Sequence, residues 1–180
     1  QYDLLRNAGK GIGITTEAAE SNDTREQIIG IVYLVIFIIS AITFIQWFRR
    51  AYYNLHLKTN DLTHEEGTAA SCWFIPILNL YRPYQVMKEL YTKTLELLNN
   101  KGLTVEKIST ALLGWWWAIW IIDGMIGQFV FRFSLKAETI DDLNIVTIAG
   151  LIDNAVGIPL ALIAIKVISD YSKLEPLMDE

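Results

Sequence analysis

The chain has 180 residues, of which 52% are hydrophobic and 19% are charged. Soluble domains average roughly 45–50% apolar and about 25% charged residues, so this composition is shifted toward that of a membrane protein. The net charge of −5 argues against nucleic-acid binding, which needs a basic face. A single cysteine excludes a disulfide framework and any cysteine-based zinc site.

Three long apolar runs predict transmembrane helices. Residues 28–48 carry no charge, residues 108–131 carry only Asp123, and residues 145–165 carry only Asp153. About 20 helical residues cross the roughly 30 Å hydrocarbon core, so each run is long enough. The alternative is the core helix of a soluble protein, but such helices rarely run past about 14 residues without a charge. We therefore predict an all-α integral membrane protein with three transmembrane helices in the visible chain.

A fourth apolar run, 67–81, is too short for a comfortable span and contains Pro76 and Asn79. Irregular backbone at membrane depth is tolerated only where protein or water covers it. We predict a re-entrant or interfacial segment, with a broken span as the alternative. The contact candidates in and beside this segment are Trp73, Pro76, Asn79, Arg82, Pro83 and Tyr84.

An amphipathic helix is predicted over 83–99, directly after that segment. Pro83 suits a first helical turn, and apolar residues then recur at positions 84, 87, 90, 91, 95 and 98, which is helical spacing. The polar face is nearly neutral, so a polybasic lipid-binding switch is not supported. Two placements stay open, one on the membrane surface and one against the protein's own spans.

The distribution of basic residues predicts the orientation in the membrane. The segment 49–107 and the C-terminal tail carry ten Lys and Arg residues, whereas the segments 1–27 and 132–144 carry five. We therefore place 49–107 and the C-terminus in the cytoplasm and 1–27 in a non-cytoplasmic loop. Residues 28–180 then form a single membrane domain.

Several aromatic and proline-containing motifs carry a family resemblance. They are WFRRAYYNL at 47–55, WFIPILNLYRPY at 73–84, VMKEL at 86–90 and LGWWWA at 113–118. Together they resemble the bacterial membrane family called domain of unknown function 4328, over most of the chain. The WFIP-x-x-NL-x-x-PY stretch is the most specific part of this resemblance.

The resemblance implies an integral membrane protein with one more span upstream of Gln1. That architecture has four spans and both ends in the cytoplasm, in agreement with the charge distribution. No activity comes with the family, and no catalytic residue is carried over from it.

Asp123 and Asp153 are the sharpest candidates for chemistry. Each lies eight residues from the outer end of its predicted span, so the two carboxylates, with Asn154 beside one of them, are expected at similar depth. A charge in hydrocarbon costs at least about 2.5–3.5 kcal/mol, and such residues face a bundle interior. The functional interpretation is a proton relay or a cation site. The structural one is a protonated Asp or an Asn–Asp hydrogen bond that joins helices.

Four tryptophans lie in the inner half of the second predicted span: Trp115, Trp116, Trp117 and Trp120. Three adjacent indoles on a helix point in different directions, so at least one is expected to face lipid and one the bundle. Anchoring at the membrane interface is the first explanation, and a stacking site for a ligand is the second.

No metal, nucleotide or catalytic motif is recognisable. The His-Glu pair at His64 lacks a second histidine four residues on, and the glycines at 9–13 do not form a P-loop. We therefore predict no metal site, no cofactor and no catalytic residue.

These observations favour a non-enzymatic accessory or scaffolding subunit of a complex in the bacterial inner (cytoplasmic) membrane. Its expected partners are membrane lipids and either another membrane protein or further copies of itself, and not nucleic acid. One alternative is a small transporter, channel or proton-linked module that uses Asp123 and Asp153. The other is a lipid-binding protein that uses the amphipathic helix and the tryptophans.

Overall fold

The computed structural model describes residues 6, 10, 13, 15–103 and 110–179, and these residues contain helices and no strand. Within them, the α-helices in chain order are α1 Thr16–His56, α2 Thr68–Ser71, α3 Arg82–Asn100, α4 Ala111–Ser134 and α5 Ile140–Leu174. The short 3-10 helices Leu78–Leu80 and Glu175–Met178 precede α3 and follow α5. The predicted all-α class is confirmed.

Two helical stretches in the described part of the chain, α1 and Ile140–Met178, are long and apolar enough to cross a membrane. Their most apolar 18-residue windows have mean hydropathies of 2.9 and 2.0, and no residue of either window is buried. The core helix of a soluble protein would bury most of such a window. The two helices therefore suggest association with a membrane.

Helix α4 corresponds to the second predicted span but is not one of the two stretches that hydropathy identifies as able to cross a membrane. Its tryptophans, together with Asp123 and Gln128, lower its mean hydropathy, so composition alone does not identify it as a span. Its 24 residues extend about 36 Å at 1.5 Å per residue, which is enough to cross the roughly 30 Å hydrocarbon core. The span 108–131 stays a prediction, and residues 104–109 lie outside the described residues.

Helix α1 begins well before the predicted span. The backbone N–H of Ala18 donates a 3.2 Å hydrogen bond to the hydroxyl of Thr15, which is the geometry of an N-terminal cap. Residues 16–27, which we predicted as part of a loop, are therefore helical. The predicted span began only where the charged residues end.

Helix α5 is also longer than the predicted span 145–165. The backbone N–H of Asp142 donates to the Thr139 hydroxyl at 3.1 Å, and the Thr139 N–H donates to the Asp142 carboxylate at 3.1 Å. This reciprocal pair satisfies two free donors of the first turn. The helix then continues through Pro159 to Leu174.

The contacts divide the chain into two compact units. Unit 1 comprises Gln1–Ser40 and Ile122–Pro159, and unit 2 comprises Ala41–Ile121 and Leu160–Glu180. Helices α1, α4 and α5 contribute residues to both units. In unit 1, residues 27–40 of α1 are exposed on every face of the helix.

The buried core lies in unit 2 and includes the apolar face of α3. Fully buried side chains from α1 and α3 meet there: Phe48, Tyr52, Leu55, Val86, Met87, Leu90 and Leu98. Helix α3 therefore packs on the protein's own helices, and this decides between the two placements of the predicted amphipathic helix 83–99. A membrane-surface position would have required the same face to be open.

The buried face of α3 is turned slightly from the predicted one. Tyr84 and Leu95 are only partly buried, whereas Thr94 is fully buried. The hydroxyl of Thr94 lies 3.4 Å from the hydroxyl of Tyr171 on α5, and the Tyr91 hydroxyl donates to the carbonyl of Val167. A polar residue is tolerated at this position because its hydrogen bond is formed inside the core.

Polar contacts hold the C-terminal 3-10 helix within unit 2. The carboxylate of Glu175 accepts hydrogen bonds from Asn54 at 2.6 Å and Arg50 at 3.3 Å. Lys101 donates to the carbonyl of Met178 at 2.7 Å, and Met178 is itself buried. The chain therefore returns to the end of α1 and the end of α3.

Candidate functional site

Asp123 of α4 and Asp153 of α5 each lie against a glycine of the other helix. A Cβ atom built on Gly157 would lie 3.7 Å from Oδ1 of Asp123, and one built on Gly127 would lie 3.7 Å from Oδ1 of Asp153. Both helices therefore carry the same Asp-x-x-x-Gly spacing, and the two pairs meet in antiparallel order. Because glycine has no side chain, Gly127 and Gly157 leave room for the carboxylates.

The two aspartates are more buried than Asn154, which was predicted to lie beside them. Asp123 and Asp153 are partly buried, whereas Asn154 is exposed, so the structure places both carboxylates between α4 and α5 and leaves Asn154 outside. Oδ1 of Asp153 is buried and has no hydrogen-bond donor among the described residues. An Asn–Asp hydrogen bond therefore does not account for this atom.

Facing carboxylates at membrane depth are typical of proton relays and cation pathways. In the described ranges, no cluster of three or more His, Cys, Asp or Glu residues that could hold a metal ion occurs. Each carboxylate lies against a glycine of the other helix, so the two acidic groups are offset by four residues, or about 6 Å, along the antiparallel helix pair.

An aromatic cluster in unit 2 is centred on Trp73. Its ring centroid lies 5.4 Å from that of Phe44, 5.6 Å from Trp120 and 6.2 Å from Trp117. Trp117 and Trp120 stack on one another with centroids 4.6 Å apart. Edge-to-face and stacked rings contribute about 0.5–1.5 kcal/mol per pair beyond the area they bury. The cluster therefore holds the segment 67–81 against α1 and α4.

The three adjacent tryptophans of α4 point in different directions. Trp115 is 66% exposed, whereas Trp116 and Trp117 are only 3% and 9% exposed. The two buried indoles are part of the unit 2 core. Trp115 is left on the surface of the protein.

The segment 67–81 is held at two points and exposed between them. The indole N–H of Trp117 donates to the carbonyl of Leu80 at 3.1 Å, and Trp73 inserts into the aromatic cluster. Between these anchors the side chains of Phe74 and Ile77 are each 74% exposed. We call the exposed group Phe74, Ile75, Ile77 and Leu80 the apolar tip.

Pro76 and Asn79 shape the turn that carries the apolar tip. Pro76 is exposed, and the backbone N–H of Asn79 donates to the carbonyl of Ile75 at 2.8 Å, which closes one turn around the proline. Oδ1 of Asn79 is buried without a hydrogen-bond partner among the described residues. The segment is therefore a fixed protrusion and not a continuous helix.

Arg82, Pro83 and Tyr84 form the start of α3. Pro83 is buried in the first turn of the helix, and Tyr84 is partly buried. The guanidinium of Arg82 lies over the ring of Tyr81 at 5.4 Å and within 3.3 Å of Nδ1 of His64. Because an arginine can only donate, Nδ1 of His64 is the acceptor and the histidine is in its neutral form.

Glu89 is the centre of a polar network that the sequence did not reveal. Its carboxylate accepts a 2.6 Å hydrogen bond from the Tyr52 hydroxyl and another of 2.6 Å from the backbone N–H of Thr63. The Tyr52 hydroxyl also lies 3.2 Å from the carbonyl of His64. These contacts join α1, the loop after it and α3. No local signal predicts them, because the partners are far apart in the chain.

The protonation of this network follows from its surroundings. Burial raises the pKa of the Glu89 carboxyl, but the hydrogen bonds from Tyr52 and Thr63 outweigh it, so the pKa lies below its usual value. Burial lowers the pKa of His64, and the Arg82 charge adds to this effect against the opposing charge of Glu89. The stable state is therefore an ionised Glu89 beside a neutral His64.

The chain matches the family described as Domain of unknown function (DUF4328) over residues 10–173. That match includes α1, the apolar tip, α3, α4 and nearly all of α5. No curated protein and no solved structure matches the chain. The aromatic and proline motifs that suggested the resemblance are the same residues that build the aromatic cluster and the start of α3, and the chain belongs to the family Domain of unknown function (DUF4328).

Proposed function

We propose that this protein is a non-enzymatic accessory or scaffolding subunit of a complex in the bacterial inner membrane. The observation that carries the proposal is the apolar tip of segment 67–81. Large exposed apolar groups that are rigidly held mark contact sites for proteins or membranes. Trp73 and the Trp117–Leu80 hydrogen bond hold this one in a single position.

The position of the tip relative to the predicted spans supports an interfacial contact. Trp73 packs on Phe44, which lies four residues inside the predicted span 28–48, or about 6 Å at 1.5 Å per residue. In this proposal the tip lies at the cytoplasmic edge of the hydrocarbon, where a partner membrane protein would present both apolar and polar groups. Helix α4 is a further span in this proposal, and 49–107 and the C-terminus are cytoplasmic.

The test is co-purification from the protein's own organism in mild detergent, followed by native mass spectrometry. We expect a stoichiometric second protein with the wild-type chain and its loss when Phe74→Ala and Ile77→Ala are combined. Leu57→Ala is the matched control, because Leu57 is 64% exposed and lies outside the tip. A complex that survives the double substitution would contradict the proposal.

A proton-linked transport module is the second candidate, favoured by the reciprocal Asp–Gly contacts of α4 and α5. Each carboxylate lies against a glycine of the facing helix, so both acidic groups are located between α4 and α5, as in proton relays, whose acidic residues face the interior of a helix bundle. Asp123→Asn combined with Asp153→Asn would abolish proton-coupled flux in reconstituted vesicles. Flux equal to that of wild type in this variant would exclude the candidate.

The lipid-binding alternative has less support than the other two. It relied on the apolar face of α3 and on the tryptophans of α4, and most of these side chains are buried inside unit 2. Trp115 and the apolar tip are the groups left to contact lipid. Lipid that is retained by the wild type and lost on Trp115→Ala would revive this alternative.

A further inference from the structure

Two amide side chains, Gln128 of α4 and Asn154 of α5, are exposed in segments that the proposed function places inside the membrane. Neither side chain makes a hydrogen bond to another described residue. Hydrocarbon offers no hydrogen-bond partner, so an unpaired amide there is costly. The inference below rests on the proposed membrane position of α4 and α5.

The two amides lie on the same flank of the α4–α5 pair. The contacts of Asp123 with Gly157 and of Gly127 with Asp153 define where the helices face each other. At about 100° per residue, Gln128 is turned about 120° from this contact line and Asn154 about 80°, in the same rotational sense. Because the helices are antiparallel, the same sense on both helices means the same flank.

The opposite flank carries a purely apolar groove of about 330 Å³ between α4 and α5. Its lining residues are Met125, Ile126, Phe129, Ala149 and Ile152. Met125 points directly away from the contact line, and the others are turned in the opposite sense from the amides. Lipid chains can cover this apolar groove, because it has no polar group that needs a hydrogen-bond partner. Both amides lie on the other flank, so only that flank requires a neighbour with hydrogen-bonding groups.

Each amide is preceded by a glycine one turn earlier in its helix. Cβ atoms built on Gly124 and Gly150 would meet nothing within 4 Å, so the backbone is open at these positions. Small residues let another helix approach closely enough for its side chains to reach polar groups between the helices. Each helix thus carries a glycine followed four residues later by an amide. We call the surface formed by Gly124, Gln128, Gly150 and Asn154 the amide flank.

We propose that the amide flank binds the same flank of a second copy of this chain. Each amide carries a donor and an acceptor, so the surface is complementary to itself, as a twofold interface requires. The exposed neighbours on this flank include the apolar side chains of Phe131, Leu151 and Ile158. A second copy supplies both the amides and the matching apolar surface.

The test is cysteine cross-linking in native membranes. Cys72, the single cysteine, is replaced by Ser, and Gln128→Cys and Asn154→Cys are made singly and also co-expressed. We expect a disulfide-linked homodimer in at least one of these combinations. Phe129→Cys and Ile152→Cys on the groove flank are the matched controls, and they are expected to give about fivefold less dimer because they face lipid.

A second measurement uses variants without cysteine chemistry. Gln128→Leu combined with Asn154→Leu is expected to shift the monomer–dimer midpoint in liposome dilution by about tenfold toward monomer, measured by energy transfer between labelled copies. Phe129→Ala combined with Ile152→Ala is the control and should leave the midpoint unchanged. An unchanged midpoint in the amide variant would overturn the proposal, as would cross-linking of the Gln128→Cys variant only to a different protein.

Labelling of the same cysteine variants separates this proposal from the proposed membrane function. A membrane-impermeant maleimide should not react with the Gln128→Cys variant in sealed or opened vesicles. If it reacts rapidly, α4 is not in the hydrocarbon and the proposed function fails. If the introduced thiol is protected but no homodimer forms, the proposed span holds and only the second-copy interface is wrong.

Discussion

The hydroxyl of Tyr52 donates a 2.6 Å hydrogen bond to the carboxylate of Glu89, 37 residues further along the chain. The same carboxylate accepts the backbone N–H of Thr63 at 2.6 Å. One acidic side chain therefore fastens the end of α1, the loop that follows it and the middle of α3. Because the apolar tip lies between that loop and α3, the contact bears on the proposed partner surface.

Tyr52→Phe should destabilise unit 2 by about 1 kcal/mol, since it removes one hydrogen bond to a carboxylate and leaves the ring in place. Two measurements test this: thermal unfolding in detergent, and the rate at which a protease cleaves the 57–67 loop. Tyr53→Phe, one residue on at an exposed position, is the control and should have no effect. A double-mutant cycle with Glu89→Gln should give a coupling energy of at least about 0.5 kcal/mol. Additive effects would mean that the two side chains do not act as a pair.

Mild acid should loosen the loop that contains His64. The pKa of His64 is lowered from 6.5 in the folded protein, so its contribution to stability is present above about pH 6.5 and is lost as the pH falls below it. The pKa of Glu89 lies below 4.5, so its contribution is lost only at lower pH. Proteolysis of the loop should therefore increase between about pH 7.5 and about pH 5.5, and His64→Asn should reduce that increase. The same acid response in both proteins would refute the assignment to His64.

Trp117→Phe should loosen the apolar tip. The substitution keeps an aromatic ring but removes the N–H that donates to the Leu80 carbonyl at 3.1 Å and part of the stack on Trp120, so the cost is about 1 kcal/mol for one hydrogen bond plus that of lost core packing. Hydrogen exchange of residues 74–81 should become faster than in the wild type. Trp115→Phe, at a 66% exposed position, is the matched control and should leave exchange unchanged. Equal acceleration in both variants would show that general loss of indole, and not this hydrogen bond, is responsible.

Gly127 should tolerate alanine and reject leucine. A Cβ there meets Oδ1 of Asp153 at 3.7 Å, an ordinary contact, and alanine in a helix gains roughly 0.5–1 kcal/mol over glycine. A leucine would displace the carboxylate and separate α4 from α5. Thermal stability in detergent and the α4–α5 distance measured between spin labels report the two effects. Gly114→Leu, where a Cβ meets nothing within 4 Å, is the control. An unchanged α4–α5 distance in Gly127→Leu would contradict the close packing.

The helices themselves follow from local patterns. The long uncharged runs predicted α1 and α5, and the spacing of apolar residues predicted α3 over 83–99 to within one residue at each end. These predictions succeed because helix formation depends on neighbours three and four positions away. The helix starts at Thr16 and Ile140 were missed, since the predicted spans ended where the apolar runs ended and the capped first turns are polar.

The partners of individual side chains required the tertiary structure. The sequence placed Asn154 with the two aspartates, but a rotation of about 100° per residue turns it onto the exposed flank beside Gln128. The sequence also left open whether the apolar face of α3 meets lipid or protein. That choice depends on what the other helices present at the same place, which no local pattern contains.

By itself, the sequence determined the helical class, the apolar segments and the family, because these depend on composition, periodicity and short motifs. Only the tertiary structure decided that Asp123 and Asp153 lie against Gly157 and Gly127, and that Glu89 binds Tyr52. Residues so far apart in the chain come into contact only when the helices pack against each other. Which side chains meet then depends on the shapes and hydrogen-bonding groups of the packed helix faces, and not on their order along the chain.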